Sequence, residues 1–294
     1  MEDDAGESRG RHRAPDAVAV DDVPVDAVVA GADDVDDDGA TDSVRAPGDR
    51  WRIVARSLGE LLVTVGVILL LFVVYELWVT DLLNAQAQNK LDQSLHDQWS
   101  AGAPAAPGAP GATDHGPFAV GQAFAILHIP RLGADYHRVI VEGTDQDQLA
   151  QGPGHYVGTA FPGEKGNVSL AGHRVGRGSP FLDLDQLRPG DPIIVETRTS
   201  WFVYRVLGDQ ASGNLGADAS GIPGQEVVLP ADLKVISPTP GAAATAPPSG
   251  SYLTLTTCHP RFSARQRLVI HAKLDGAGTS KADQPHGPPA LLGK

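Results

Sequence analysis

The chain has 294 residues, with 36 Asp and Glu against 23 Lys and Arg, a net charge of −13 and one cysteine. Fifteen of those acids and only five arginines fall in residues 1–50, so that stretch alone carries −10. The acidity belongs to a tail. It comes without a basic patch, which excludes a nucleic-acid partner, and a single thiol excludes an internal disulfide framework or a cysteine-rich zinc site.

In chain order, residues 1–50 are expected to be disordered. "GADDVDDDGATD" is dense in charge and holds almost nothing large and apolar to offset the entropy of ordering a backbone. "LLVTVGVILLLFVVY" (Leu61–Tyr75) follows, uncharged between Glu60 and Glu76 and prolonged by "LWV". With Ser57, Leu58 and Gly59 the apolar run covers residues 57–79, long enough to cross ~30 Å of hydrocarbon. Trp51, Tyr75 and Trp78 flank it as interfacial rings do. A buried core helix would be the bland alternative, and a cleavable signal peptide is disfavoured because about fifty residues precede the run. Residues 51–80 are therefore read as an uncleaved signal anchor. Arg45, Arg50, Arg52 and Arg56 crowd its N-terminal side, so the positive-inside rule puts the N-terminus in the cytoplasm and the rest of the chain outside.

Residues 81–118 read as a polar, helical stalk and then an extended Ala/Pro/Gly spacer, "AGAPAAPGAPGATDHGP". The globular domain is expected at 119–275, and 276–294 as a disordered C-terminal tail. Within the domain, short β-branched or aromatic runs bounded by turn residues predict strands at 124–132, 136–143, 167–174, 192–198, 201–208, 232–237, 252–258 and 267–274. Short helices are expected at 145–151 and 181–187. About eight strands with one or two short helices predict an all-β fold, a closed barrel or a sandwich.

The lone thiol sits in "YLTLTTCHP" (Tyr252–Pro260). Strand alternation places Tyr252, Thr254, Thr256 and Cys258 on one face and Leu253 and Leu255 on the other. Pro260 ends the ladder near the sulfur. In "RLVIHAKL" alternation puts Arg267 on a face with Val269 and His271; if the two strands are neighbours, the guanidinium meets the thiol and favours its ionised form. The rival reading is a small buried hydrophobe. Nucleophilic chemistry also needs a base. His12, His96, His115 and His286 lie in segments with no fold to hold them, while His128 and His137 read as exposed strand positions. His155 and His259 read as site-edge residues. His173, in "GNVSLAGHRVGRGSPF", has small neighbours and a glycine-rich loop after it; its rival reading is a solvated strand-end histidine.

"GNVSLAGHR" together with "YLTLTTCHPRFSARQRLVIHAKL" resembles the sortases, the extracytoplasmic cysteine transpeptidases of Gram-positive bacteria. "ILHIPRLGADYHRVIVEGT", "GPGHYVGTAFPGEKGN" and "FLDLDQLRPGD" extend the resemblance over nearly all of 124–274, and "TLTTCHP" with the Ala/Pro-rich spacer is most like class E. The resemblance implies a sortase-like closed barrel with Cys258 as nucleophile, His173 as acid–base partner and Arg267 holding substrate and oxyanion. Thr256 and Thr257 are expected at the substrate groove, and Tyr156 as a wall of it whose rival reading is an ordinary core tyrosine; the resemblance implies no cofactor and no metal. The substrate would be a Leu-Ala/Pro-x-Thr-Gly sorting signal on a secreted protein, cut between Thr and Gly. The acceptor would be a peptidoglycan-precursor amine. A pilin-polymerising sortase is the alternative within the family, but residues 101–123 hold no tryptophan and no plug motif. A membrane-tethered barrel that binds without catalysis is the alternative outside it. Asp183 and Asp185 are read as a solvated helix edge.

Overall fold

The computed structural model describes residues 47–75, 80–102, 116–176 and 178–292. The expectations for the acidic tail up to residue 46, for the spacer 103–115 and for Trp78 lie outside the described residues. The chain divides into two units, 1–58 and 59–294. Helix α1 (Pro47–Val74) holds all the described residues of the first unit and continues into the second. Its Arg50–Val74 stretch is the one described helix long and apolar enough to cross a membrane, and none of it is buried against protein. Fourteen successive residues from Leu61 to Val74 without a charge, all in contact with no core, suit a hydrocarbon environment.

In the second unit ten strands form one sheet: β1 (Ala123–His128), β2 (His137–Glu142), β3 (Gly154–His155), β4 (Gly166–Ala171), β5 (Pro192–Glu196), β6 (Ser200–Val206), β7 (Gln225–Val228), β8 (Ser251–His259), β9 (Gln266–Leu274) and β10 (Thr279–Ser280). The neighbours run β6-β5-β1-β2-β3-β4-β8-β9, and β9 pairs back onto β6, closing an eight-stranded barrel. Strands β7 and β10 are additions on β9 and β6. β4 and β8 are parallel, with Ala171 opposite Thr256, and β8 and β9 antiparallel. Closure removes the exposed strand edges an open sheet would carry. Leu127, Ile140, Leu170, Ile193, Leu255 and Ile270 fill the interior.

The structure adds the unpredicted short strands β3 and β7, and it departs from the sequence reading in three further places. Residues 233–236, expected as strand, form a 3-10 turn whose first amides are held by Asp232: its carboxylate accepts from Lys234 N at 3.3 Å. Helix α2 (Thr80–Ala101) is the predicted stalk helix, but it lies on the barrel. Leu91, Leu95 and Trp99, spaced four apart, make an apolar stripe over Ala123, Ile126, Val139 and Val141. Gln88 reinforces it, its side-chain oxygen accepting from Val139 N at 3.1 Å. Residues 276–292, expected as a disordered tail, run back along β6 through β10, and Trp201 Nε1 donates to Gln284 O at 3.0 Å.

Lys281 from this returning segment bonds Glu196 at 2.6 Å and lies 4.2 Å from the Trp99 ring centre, and His128 bonds the same carboxylate at 2.8 Å. Burial by itself pushes the Glu196 carboxyl up, but the hydrogen bonds and charges of His128 and Lys281 outweigh it and hold the group below its ordinary value. A carboxylate with a depressed folded pKa adds stability in full above its unfolded value of about 4.3 and loses it as pH falls through the folded value. Glu196→Gln should therefore flatten the fall of melting temperature below about pH 5 relative to the wild type. Parallel profiles would show that the carboxylate carries no such linkage.

Candidate active site

β4, β8 and β9 are three neighbours, and their ends bring the predicted residues into one row. Cys258 stands opposite Arg267 in the β8–β9 register. Residues directly opposite in an antiparallel pair project to the same face, so the thiol and the guanidinium share a surface. On the other side, Ala171 is level with Thr256, and two residues further along each chain come His173 and Cys258. Neighbouring strands lie about 4.8 Å apart, which sets the spacing of Cys258 and Arg267, and His173 lies two residues beyond the last residue of β4. Cys258 is half-buried, as are His173 and Arg267, while the β8 residues preceding it from Tyr252 to Thr257 are buried.

The β4 end is fixed to β8 beyond the regular ladder. Gly172 N donates to Thr256 O at 3.1 Å, and Thr257 Oγ1 donates to Gly172 O at 2.8 Å. A Cβ on Gly172 would sit 2.6 Å from the buried Phe181 ring, so only glycine lets the chain approach here. The ring in turn belongs to the segment after His173, and Phe181 N donates to His173 O at 3.1 Å. Tyr136 fastens the same segment. Burial pushes its phenol well up against the opposing effect of Arg138, so at neutral pH it is protonated and donates to Pro180 O at 2.5 Å.

The three residues expected at the substrate groove separate. Thr256 and Thr257 are buried, with hydroxyls engaged inside the protein, so Thr257 supports the His173 strand end and does not face an open groove. Thr256 Oγ1 lies 3.0 Å from the Tyr156 hydroxyl, and Tyr156 is half-buried at the edge of the site. The face shared by Thr254 and Cys258 is polar as expected, but covered around Thr254. Asn167 donates its amide to Val235 O and Ser237 O, so its oxygen takes the Thr254 proton at 2.8 Å and Thr254 accepts from His271 Nδ1 at 2.9 Å.

Geometry also sorts the other histidines. His155, expected at the site edge, is fully buried, with Nδ1 2.7 Å from Glu142 Oε2 and its ring stacked on Phe161. His271 is equally buried and lies 3.0 Å from Glu226. His128 is engaged by Glu196, and His137 is exposed. His259 accepts a hydrogen bond at Nδ1 from Arg174 Nη1 at 2.9 Å. A guanidinium can only donate, so the His259 proton is on Nε2 and neither nitrogen offers a lone pair to a thiol. A cavity of about 440 Å³ opens beside Tyr136, Arg138, Gln151 and Asp183, and none of Cys258, His173 and Arg267 lines it. The strand-end row, which holds the reactive groups, defines the candidate site.

Arg174, Asp183 and Asp185 were not singled out as site residues by the sequence. Both carboxylates, expected as a solvated edge, are engaged by arginines: Arg174 reaches Asp185 at 2.9 Å, and Arg261 reaches Asp183 at 2.9 Å and Asp185 at 3.4 Å. No periodicity announces these pairs, which join residues up to 78 positions apart. The one available signal was an arginine directly after His173.

The molecule is a closed eight-stranded barrel with a lone cysteine and an arginine paired across two strand ends and a histidine just past the end of the next strand, and comparison with known proteins places it. The sortase domain family matches residues 127–275. Sortase SrtE1 of Streptomyces coelicolor is 38% identical over 229 residues, 76% of this chain and 57% of its own length. Sortase SrtE2 of the same organism is 34% identical over 262 residues, 84% of this chain and 92% of its own. The solved SrtF sortase of Corynebacterium diphtheriae superposes with a TM-score of 0.55 at 37% identity, covering 64% of this chain and 98% of that one. The chain belongs to the sortase family, a family of transpeptidases, and is class E-like.

Proposed function

We propose that this protein is a membrane-anchored sortase that cuts a Leu-Ala/Pro-x-Thr-Gly signal between Thr and Gly and joins the new acyl end to an amine of a peptidoglycan precursor. The observation that carries this reading is the pairing of Cys258 with Arg267 across β8 and β9, with His173 two residues past the end of β4, the strand on the other side of β8. Cys258 Sγ, its proton passed to His173, attacks the threonine carbonyl carbon, and the carbonyl oxygen takes the charge. Arg267, a permanent cation with rigid donors, stabilises that oxyanion. As the tetrahedral intermediate collapses, the C–N bond to glycine breaks and His173 gives its proton to the departing amine. The thioester then accepts an incoming amine, which loses a proton to His173 as the C–S bond breaks. His259 cannot take this role, because Arg174 fixes its tautomer. Helix α1 serves as the anchor. With Arg50, Arg52 and Arg56 of its first turns in the cytoplasm, the barrel lies outside, where secreted clients and wall precursors are found.

The full chain in detergent micelles, given a quenched Leu-Ala-x-Thr-Gly peptide and an amine acceptor, should release the glycine-bearing fragment and form the new amide. Cleavage with no dependence on Cys258, or no cleavage of either the Ala or the Pro peptide, would overturn the reading.

A further inference from the structure

We propose that Arg174 is a positioning residue for the reaction at Cys258: one buried guanidinium locks the carbonyl and the following side chain of the nucleophile's strand end to the segment bearing His173. This rests on the assignment of Cys258 and His173 made above. Arg174 is 2% exposed. Its donors fan out to two pieces of chain: Nη2 to Asp185 Oδ2 at 2.9 Å and Nε to Leu182 O at 3.4 Å on one, and Nη1 to His259 Nδ1 at 2.9 Å and Cys258 O at 3.5 Å on the other. It stands next to His173 in sequence, so the same side chain spans from the base to the nucleophile.

Removing a charge from water is costly, and it is retained where its hydrogen bonds fix a geometry. Asp185 supplies the counter-charge. It is 41% exposed and also takes Arg261, which follows Cys258 by three residues, so one carboxylate gathers an arginine from each side of the site. The Arg261 pairs are 42% exposed and screened by water, so they contribute little. The buried member carries the geometry. A lysine would match the charge but not the planar fork that reaches Asp185, His259 and Leu182 together. The barrel interior, by contrast, is apolar and does not include Arg174. Its loss should therefore be felt in the chemistry more than in the fold. Displacing reacting groups by about 1 Å costs on the order of 100-fold in rate.

The test uses the full chain in micelles with the Leu-Ala-x-Thr-Gly peptide. Arg174→Met should lower kcat about 100-fold with KM held within about three-fold. Arg174→Lys should recover no more than about ten-fold of that loss. Asp185→Asn, at an exposed carboxylate, should lower kcat about five-fold with an unchanged melting temperature. Alkylation of Cys258 by iodoacetamide should slow about five-fold in Arg174→Met. That readout needs no substrate. If the wild type fails to turn the peptide over, the functional reading fails while the alkylation rates still decide the role of Arg174. Arg174→Met with kcat within about three-fold of wild type, or full rescue by lysine, would overturn the proposal. If Arg174→Met does not fold, an unchanged kcat in Asp185→Asn overturns it.

Discussion

Cys258→Ala should abolish peptide cleavage and amide formation together, leaving the rate lower by at least about a thousand-fold. The reason is covalent. Without sulfur no thioester forms, and neither the glycine departure nor the transfer to an amine has an intermediate to pass through. The loss should come without collapse of the fold. Cys258 lies half-buried at a strand end, its β8 neighbours remain packed, and its Cα pairing with Arg267 depends on backbone alone. Matched circular dichroism and a melting temperature within a few degrees of wild type would separate lost chemistry from lost structure. Undiminished turnover in that variant would mean another group does the work.

Arg267→Ala should lower kcat by about 10²–10³-fold, the usual cost of removing a donor from an oxyanion site. In the structure the guanidinium is held at the barrel end, Nη1 donating to Ala264 O at 3.0 Å and to Gln266 O at 3.1 Å. β7 borders it on the far side, with Val228 opposite Arg267. The residue is thus confined at the barrel end, and if charge develops beside Cys258, little reorganisation is needed as the reaction proceeds. If the role lies in the transition state, kcat falls and KM stays near its wild-type value; if Arg267 only holds the substrate, KM rises and kcat persists. Arg265, exposed in the same turn, should tolerate alanine with less than about a two-fold change. A loss of only a few-fold in Arg267→Ala would remove its assigned role and leave that of Cys258 intact.

Much of this arrangement was legible in the residues because two strands announce themselves by alternation. Leu253 and Leu255 facing one way, and Leu268 and Ile270 likewise, fix which side chains point together, and the turn between β8 and β9 sets Cys258 against Arg267. Periodicity conveys the face but not what covers it, so Thr254 and Thr256 read as open positions until Asn167, His271 and Tyr156 are found against them. Strand β7, "QEVV", is too short and too polar to stand out, and it completes the barrel end beside Arg267 only through its ladder with β9. "DLKVIS" looks like a strand by composition, yet Asp232 turns it, and the amide of Asn167 takes its carbonyls. The returning segment after residue 275 gives no hydrophobic signal, because it is held by backbone pairing and by Lys281. His155 looked like a site residue in a glycine-rich run; Glu142, distant by 13 positions, bonds it inside the protein, and Phe124 and Phe161 pack on its ring. Long-range polar pairs leave no period in a sequence, and Arg174 with Asp185 belongs to that kind.

Acylation of Cys258 is open to direct observation by mass spectrometry of the intact protein. The full chain is mixed with a Leu-Ala-x-Thr-Gly peptide, quenched in acid within the first turnover, and mapped by proteolysis. The expected product carries an added mass equal to the peptide acyl group up to its threonine, less the hydrogen lost from sulfur, located on Cys258 and discharged by an amine or hydroxylamine. Steady cleavage without that adduct, or an adduct that persists in Cys258→Ala, would contradict it.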